Sequence, residues 1–394
     1  MMARCETILS KHLIQFVRDY FGTNEFIPLH APIFLGREKE YVADTIESKF
    51  VSSVGAYVDR FEKDMASFTG SPRAIATVNG TAALHIALKL AGVEAGDLVI
   101  TQPLTFVATC NAVAYCNAEP VFVDVDCDTL GLSPEAMEQW LVENAQLDAE
   151  GVCRTKSDGK AIRACIPMHT FGHPADLDGL CKVAGRWNIH IVEDAAESLG
   201  SYYKGQHTGT FGSLGTLSFN GNKVMTTGGG GMILAGEALA DRAKHLTTTA
   251  KQPHPYEYIH DEVGYNYRMP NLNAALGCAQ LEQLESFVEA KRSLAAAYET
   301  FFKSGPPLKF VKEPAECRSN YWLNAVICEN KQQRDELLKT TNNEGVMTRP
   351  IWALMNHLAM YQNCRKGDLT NSEWFEARVV NLPSSVVLSN FNIT

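Results

Sequence analysis

From Ala74 to Val192 the chain alternates short apolar runs with amphipathic ones, and no other feature limits its fold as strongly. Ala74-Ile75-Ala76-Thr77-Val78 reads as a strand, and Asn79-Gly80-Thr81 turns from it into a helix over residues 82–90. Strands follow over 98–101, 121–124, 164–168 and 189–192. Helices fill the gaps: one runs through Ala114, one opens with the N-cap Ser133 and the N1 proline Pro134, and one lies around 180–186. Strands joined through crossover helices pair in parallel, which predicts an α/β fold with a mostly parallel sheet. Ligands of such a sheet bind outside the carboxyl ends of its strands.

Between two strand-like runs, Ser218-Phe219 and Met232-Ile233, lies Lys223, held between the turn Asn220-Gly221-Asn222 and the glycines Gly228 to Gly231. A lysine beside a flexible linker is normally solvated. The apolar residues flanking this loop argue for a fixed lysine, one that can shed water and attack a carbonyl, with glycines letting backbone and ligand come close. Glu193-Asp194-Ala195-Ala196-Glu197 places carboxylates at a strand end, as a ligand contact or as a solvated acidic loop. The helix start at Gly80 and Thr81 is either simply capped or a cradle for phosphate. No dinucleotide fingerprint appears, and the glycine run lacks the Lys-Ser/Thr of a P-loop. His169 and His173 have no metal-ligand partners at standard spacing, so no metal site is expected. A phosphate cradle, the aromatic Phe106, the acid Asp194 and the amine Lys223 together meet the needs of pyridoxal 5'-phosphate.

The rest of the chain frames this unit. Helical spacing of Ile8, Leu13, Phe16 and Val17 predicts a leading helix, broken by Ile27-Pro28-Leu29-His30-Ala31-Pro32. His30 is a structural histidine or a substrate contact. Gly264-Tyr265-Asn266-Tyr267-Arg268-Met269-Pro270 forms an aromatic and polar loop before one long helix, predicted over 272–302. Strands near 308–311 and 324–328, a helix over 332–338 and a tail with Arg349-Pro350-Ile351-Trp352 predict a smaller α+β unit. The expected division is a helical segment over 1–29, a large domain over 30–250, and a linking helix with a small domain over 251–394.

With 45% hydrophobic and 20% charged residues and no low-complexity tract, the chain is not disordered. A net charge of -10 without a basic run turns the expectation away from nucleic acid and membrane surfaces and toward small molecules. Neither a signal peptide nor a membrane-spanning apolar run is found, so a protein neither secreted nor membrane-bound is expected. Cys110, Cys165 and Cys328, three of the eleven cysteines, lie in apolar runs as reduced thiols would, which fits the cytoplasm.

Over nearly its whole length the chain resembles the sugar-nucleotide aminotransferases of the DegT/DnrJ/EryC/StrS family. The matching motifs, in order, are Asn79-Gly80-Thr81-Ala82-Ala83-Leu84, Thr105-Phe106-Val107-Ala108-Thr109, Glu193-Asp194-Ala195-Ala196, Ser218-Phe219 with Asn222-Lys223, and Gly264-Tyr265-Asn266-Tyr267-Arg268. The resemblance implies fold type I, the aspartate-aminotransferase-like architecture. Ile27-Pro28-Leu29-His30, Val51-Ser52-Ser53-Val54-Gly55 and the four glycines are most similar to the legionaminic-acid and bacillosamine branch. That branch aminates the 4-keto carbon of UDP-linked 2-acetamido-2,6-dideoxy-hexoses. The glycine run departs from the family in lacking an acidic residue.

By this resemblance Lys223 forms the imine with pyridoxal phosphate and then shuttles a proton, and Asp194 holds the pyridinium. Gly80, Thr81 and Ser218 bind the phosphate, Phe106 stacks on the ring, and Ala82 and Asn222 complete the cofactor site. Many relatives place an amide or histidine at Glu197, near the cofactor hydroxyl, so a carboxylate there is protonated, bridged or turned away. Asn266 reaches the phosphate of the neighbouring subunit, which makes a homodimer with composite sites. His30, Arg268, Arg349 and Trp352 are implied substrate contacts. The implied reaction is ping-pong, with L-glutamate giving its amino group and the pyridoxamine form passing it to the sugar C4 ketone, for bacterial surface glycans. A sugar dehydratase of the same fold is disfavoured because its compared relatives replace the lysine by histidine. A regulator that kept the fold without catalysis is the remaining alternative.

Overall fold

The computed structural model describes residues 2–304 and 308–387. Seven strands form the central sheet: β1 (Arg73–Thr77), β2 (Leu98–Thr101), β3 (Glu119–Phe122), β4 (Ile162–Ile166), β5 (His190–Asp194), β6 (Leu214–Ser218) and β7 (Gly231–Ala235). Their spatial order is 1-7-6-5-4-2-3. Every neighbouring pair is parallel except those of β7, which runs antiparallel to both β1 and β6. The β7 register sets Gly231 opposite both Thr77 and Ser218, so three strands meet at one rim.

Side-chain alternation splits these strands between two cores. Ile75 and Ile233 face the helices Gly80–Leu90 and Glu237–Thr247, joining Ala83, Ile86 and Ala243. Ala74, Ala76, Met232 and Leu234 face the other way, onto Phe61, Met65, Ala275 and Cys278. The helix Gly80–Leu90 is buried on nearly all sides, as its run of Ala, Leu and Ile requires. Each fully buried Leu or Ile here stabilises the fold by about 1.5–3 kcal/mol.

A four-stranded antiparallel sheet lies toward the C-terminus, ordered β8 (Lys309–Phe310), β9 (Asn324–Ile327), β11 (Val379–Leu382) and β10 (Arg349–Pro350). The N-terminal helix Met2–Phe21 packs here: Leu13, Val17 and the following Ile27 share a core with Tyr298, Val326 and Val380. The side chain of Ile8 lies outside the described residues. Leu104 and Phe171, from loops of the central sheet, pack with Trp322, Ala325 and Leu354, and this joins the two sheets beside the strand ends.

One expectation changes in detail. The long helix predicted over 272–302 is two helices, Asn271–Leu281 and Leu284–Ser304. The break falls where the Glu282 carboxylate is held by the Tyr41 hydroxyl (2.7 Å) and the Arg60 guanidinium (2.6 Å). Between β3 and β4 a short hairpin pairs Ala145–Leu147 with Cys153–Thr155. Among the described residues no helix is long and apolar enough to cross a membrane. The described cysteines are free thiols, and burial pushes that of Cys328 up to about 12.

Candidate active site

Parallel strands deliver their carboxyl ends to one rim, and the chain places its chemistry there. Asp194 ends β5 and Ser218 ends β6. After β1, Asn79 caps the next helix, its Oδ1 accepting the Ala82 N–H at 2.8 Å. The amides of Gly80 and Thr81 open that helix, where the backbone dipole favours an anion. A Cβ at Gly80 would lie 3.0 Å from the Ser218 Cβ, and one at Gly231 would lie 2.5 Å from the Asn79 carbonyl carbon. Strand and helix start can approach this closely only through glycine. Below them opens a cavity of about 280 Å³.

Asp194 faces this cavity and is 4% exposed. Its Oδ2 accepts the Thr109 hydroxyl at 2.7 Å and its Oδ1 the Ala196 N–H at 3.2 Å. Burial pushes its pKa up, and among the described residues no ion pair engages it. A buried carboxylate of this kind gains most from a cationic donor arriving with a ligand.

Lys223 enters the cavity from its loop, with Nζ 3.4 Å from Glu197 Oε1 and 4.1 Å from the centre of the Trp322 ring. The Glu197 Oε2 accepts the Phe171 N–H at 3.0 Å. Burial pushes Glu197 up to about 7, against the opposing pull of the Lys223 charge. The carboxyl group lies within ion-pair reach of the lysine and is not turned away from it.

The cavity brings together Gly80, Thr81, Phe106, Asp194, Glu197, Ser218, Asn222, Lys223 and Trp352. Ala82 stands behind the rim, its N–H taken by the Asn79 cap. His30 lies outside the lining, with both ring nitrogens buried and unpartnered among the described residues. Burial, followed by the charges of Lys291 and Lys223, holds its pKa well below the ordinary value. Arg349 is exposed at the sheet edge, on Asn342 and the Thr348 carbonyl. Tyr265 and Tyr267 stack at 5.2 Å against the core, and Asn266 between them is turned out to solvent, its Oδ1 accepting from Arg268 Nε at 3.0 Å. Neither Asn266 nor Arg268 lines the cavity of its own chain.

Sequence reasoning passed over Trp322 and the Phe171 N–H. The aromatic pair Tyr321-Trp322 directly before a strand was the available signal for the first. The second had none. His169 bonds to Glu193 at 3.1 Å, a buried structural pair. The group His245, Asp261 and Glu262 lies at the surface away from the cavity, with Arg242 already on Glu262.

A family model for DegT/DnrJ/EryC1/StrS aminotransferases matches residues 34–394. The chain belongs to this family. A GDP-perosamine synthase of Escherichia coli is 36% identical over 368 residues, covering 93% of this chain and 95% of that protein. The putative pyridoxal phosphate-dependent aminotransferase EpsN of Bacillus subtilis is 37% identical over 327 residues, covering 83% and 81%. Among solved structures, a DegT DnrJ EryC1 StrS aminotransferase from Brucella abortus superposes with a TM-score of 0.81 at 29% identity, covering 90% and 91%.

As a DegT/DnrJ/EryC1/StrS aminotransferase, this enzyme depends on pyridoxal phosphate. The residues present fit that group. The helix start at Gly80, where a Cβ would come within 3.0 Å of the Ser218 Cβ, presents backbone amides to a phosphate. Asp194, buried and in no ion pair among the described residues, suits a protonated ring nitrogen. Lys223 supplies the amine in the same cavity.

Proposed function

We propose that this aminotransferase moves the amino group of L-glutamate onto the C4 ketone of a nucleotide-linked 6-deoxy-4-keto-hexose. The observation that carries the reading is one cavity holding a lysine, a buried acid and a helix N-terminus. When bound, pyridoxal phosphate supplies an electrophilic carbon and an electron sink. Gly80 and Thr81 amides and the Ser218 hydroxyl would hold the phosphate, Phe106 would cover the ring, and Asp194 would keep a negative charge beside its nitrogen. Lys223 would take and return the proton at the carbon bearing the amine, with Glu197 beside it to steady the ammonium.

The site is read as shared between two copies of the chain. Asn266 and Arg268 do not line their own chain's cavity, and Phe106 at its rim is 52% exposed. A partner copy could cover the rim and present its Asn266 to the phosphate.

The motifs around His30, Val54 and the glycine run support a UDP-linked acetamido sugar. Relatives at 36%, 33% and 34% identity carry the name GDP-perosamine synthase and support GDP as a second reading. Purified enzyme with L-glutamate and a panel of UDP- and GDP-linked 4-keto sugars decides, with product read by mass spectrometry. One keto sugar should gain an amine with matching formation of 2-oxoglutarate. Cofactor-loaded enzyme that aminates none of them overturns the reading.

A further inference from the structure

The loops of Glu197 and Lys223 are tied together by a third segment, Ser319 to Leu323, from the C-terminal unit. The Ser319 hydroxyl donates to the Gly172 carbonyl at 3.0 Å, and Asn320 Nδ2 donates to the carbonyls of Glu197 and Leu199, both at 2.9 Å. Gly172 permits this approach: its φ is +95°, and a Cβ there would lie 1.9 Å from Asn320 Oδ1. The Trp322 N–H donates to the same Asn320 Oδ1 at 2.8 Å. From this anchored base Trp322 makes two contacts with the lysine loop. Its indole N–H donates to the Asn222 carbonyl at 2.7 Å, and its ring lies under the Lys223 amine at 4.1 Å. Trp322 is 5% exposed, and an ammonium over a desolvated indole is held more strongly than at a surface.

We propose that Trp322 is a positioning residue for Lys223: its N–H fixes the peptide before the lysine while its ring and Glu197 hold the amine between them. The inference rests on Lys223 being the reacting amine. A tryptophan serving only the core would need an acceptor for its N–H and apolar neighbours for its ring. Trp322 packs its ring with Leu104 and Phe171 and, beyond that core role, sets both its indole N–H and its ring on adjacent residues of one loop, 100 residues away.

The test compares wild type, Trp322→Phe and Trp322→Leu as full-length proteins stripped of cofactor. Each is mixed with pyridoxal phosphate, reduced with borohydride at timed intervals, and the label at Lys223 is read by peptide mass spectrometry. Steady-state constants per cofactor-loaded site and thermal midpoints are measured in parallel. Trp322→Leu, losing ring and donor, should label Lys223 about tenfold more slowly and lose about tenfold in kcat, with KM for the amino donor little changed. Trp322→Phe, which keeps a ring, should fall between. Equal labelling rates and equal kcat per loaded site in all three proteins overturn the inference, as does a loss that follows only the fraction of folded protein. If Trp322→Leu does not fold, the Phe variant alone decides by the same two readouts. Failure of wild type to label at Lys223 overturns the reading of the site itself.

Discussion

The Lys223 amine lies 3.4 Å from one oxygen of Glu197, while the other accepts the Phe171 N–H at 3.0 Å. Phe171 gives that N–H from a left-handed backbone, φ 59°, at a cost of roughly 1–2 kcal/mol. Its ring packs on Trp352 at 5.4 Å, in the core that joins the two sheets, which holds it there. Burial pushes Glu197 up to about 7, so its charge, and with it the pairing to Lys223, appears as the pH rises through neutrality. Plots of kcat/KM against pH should show a limb near neutral in the wild type. Glu197→Gln keeps an acceptor for Phe171 and cannot ionise, so that limb should vanish. A limb unchanged in the variant would assign it to another group.

Asp194 is buried, with burial raising its pKa, and among the described residues Thr109 and Ala196 donate to its carboxylate. Asp194→Asn removes a charge that burial penalises, so the thermal midpoint of the cofactor-stripped protein should hold or rise. Turnover should fall by about 10²–10³, because the amide gives no charge to a developing cation beside it. Near wild-type turnover with cofactor bound would remove Asp194 from its role.

Asn266 is exposed and does not line the cavity that holds Lys223 in its own chain. Mixing inactive Lys223→Ala and Asn266→Asp chains under subunit exchange should restore activity, since a mixed dimer then has one site with both defects and one with neither. Exchange confirmed by mass with no recovery would show the site to be built from one chain.

Lys291 is fully buried in the helix Leu284–Ser304, its amine donating to the Ser384 carbonyl, and burial pushes its pKa down to about 7 from the ordinary 10.5. Between these values the unfolded chain holds a proton that the folded chain has shed, so stability gains about 1.4 kcal/mol per pH unit from this residue as pH rises. Below about 7 both states are protonated and the burial cost stands in full. Denaturant unfolding of wild type and Lys291→Met should therefore show the variant's advantage largest near pH 7 and shrinking toward about pH 9. A difference independent of pH would mean that Lys291 stays charged when folded.

The sequence by itself determined the parallel sheet, because the period of its apolar residues switches between two and 3.6 along the chain, and each switch is local. It also determined a helix start directly after β1, with Asn79 or Thr81 to cap it, and the strand-end place of Asp194, which depend on neighbours a few residues away. What tertiary structure decided lies between segments far apart. The antiparallel insertion of β7 between β1 and β6 depends on which strands find each other, and its apolar run reads the same in either direction. The helix break at Glu282 answers to Arg60 and Tyr41, more than two hundred residues earlier, and nothing in its own spacing marks it. Glu197 was legible as a carboxylate out of place, yet its bridge to Lys223 and Phe171 needed three loops brought together. Trp322 reaches Asn222 across 100 residues, and a side chain's partner at that separation is set by packing, which no local pattern encodes.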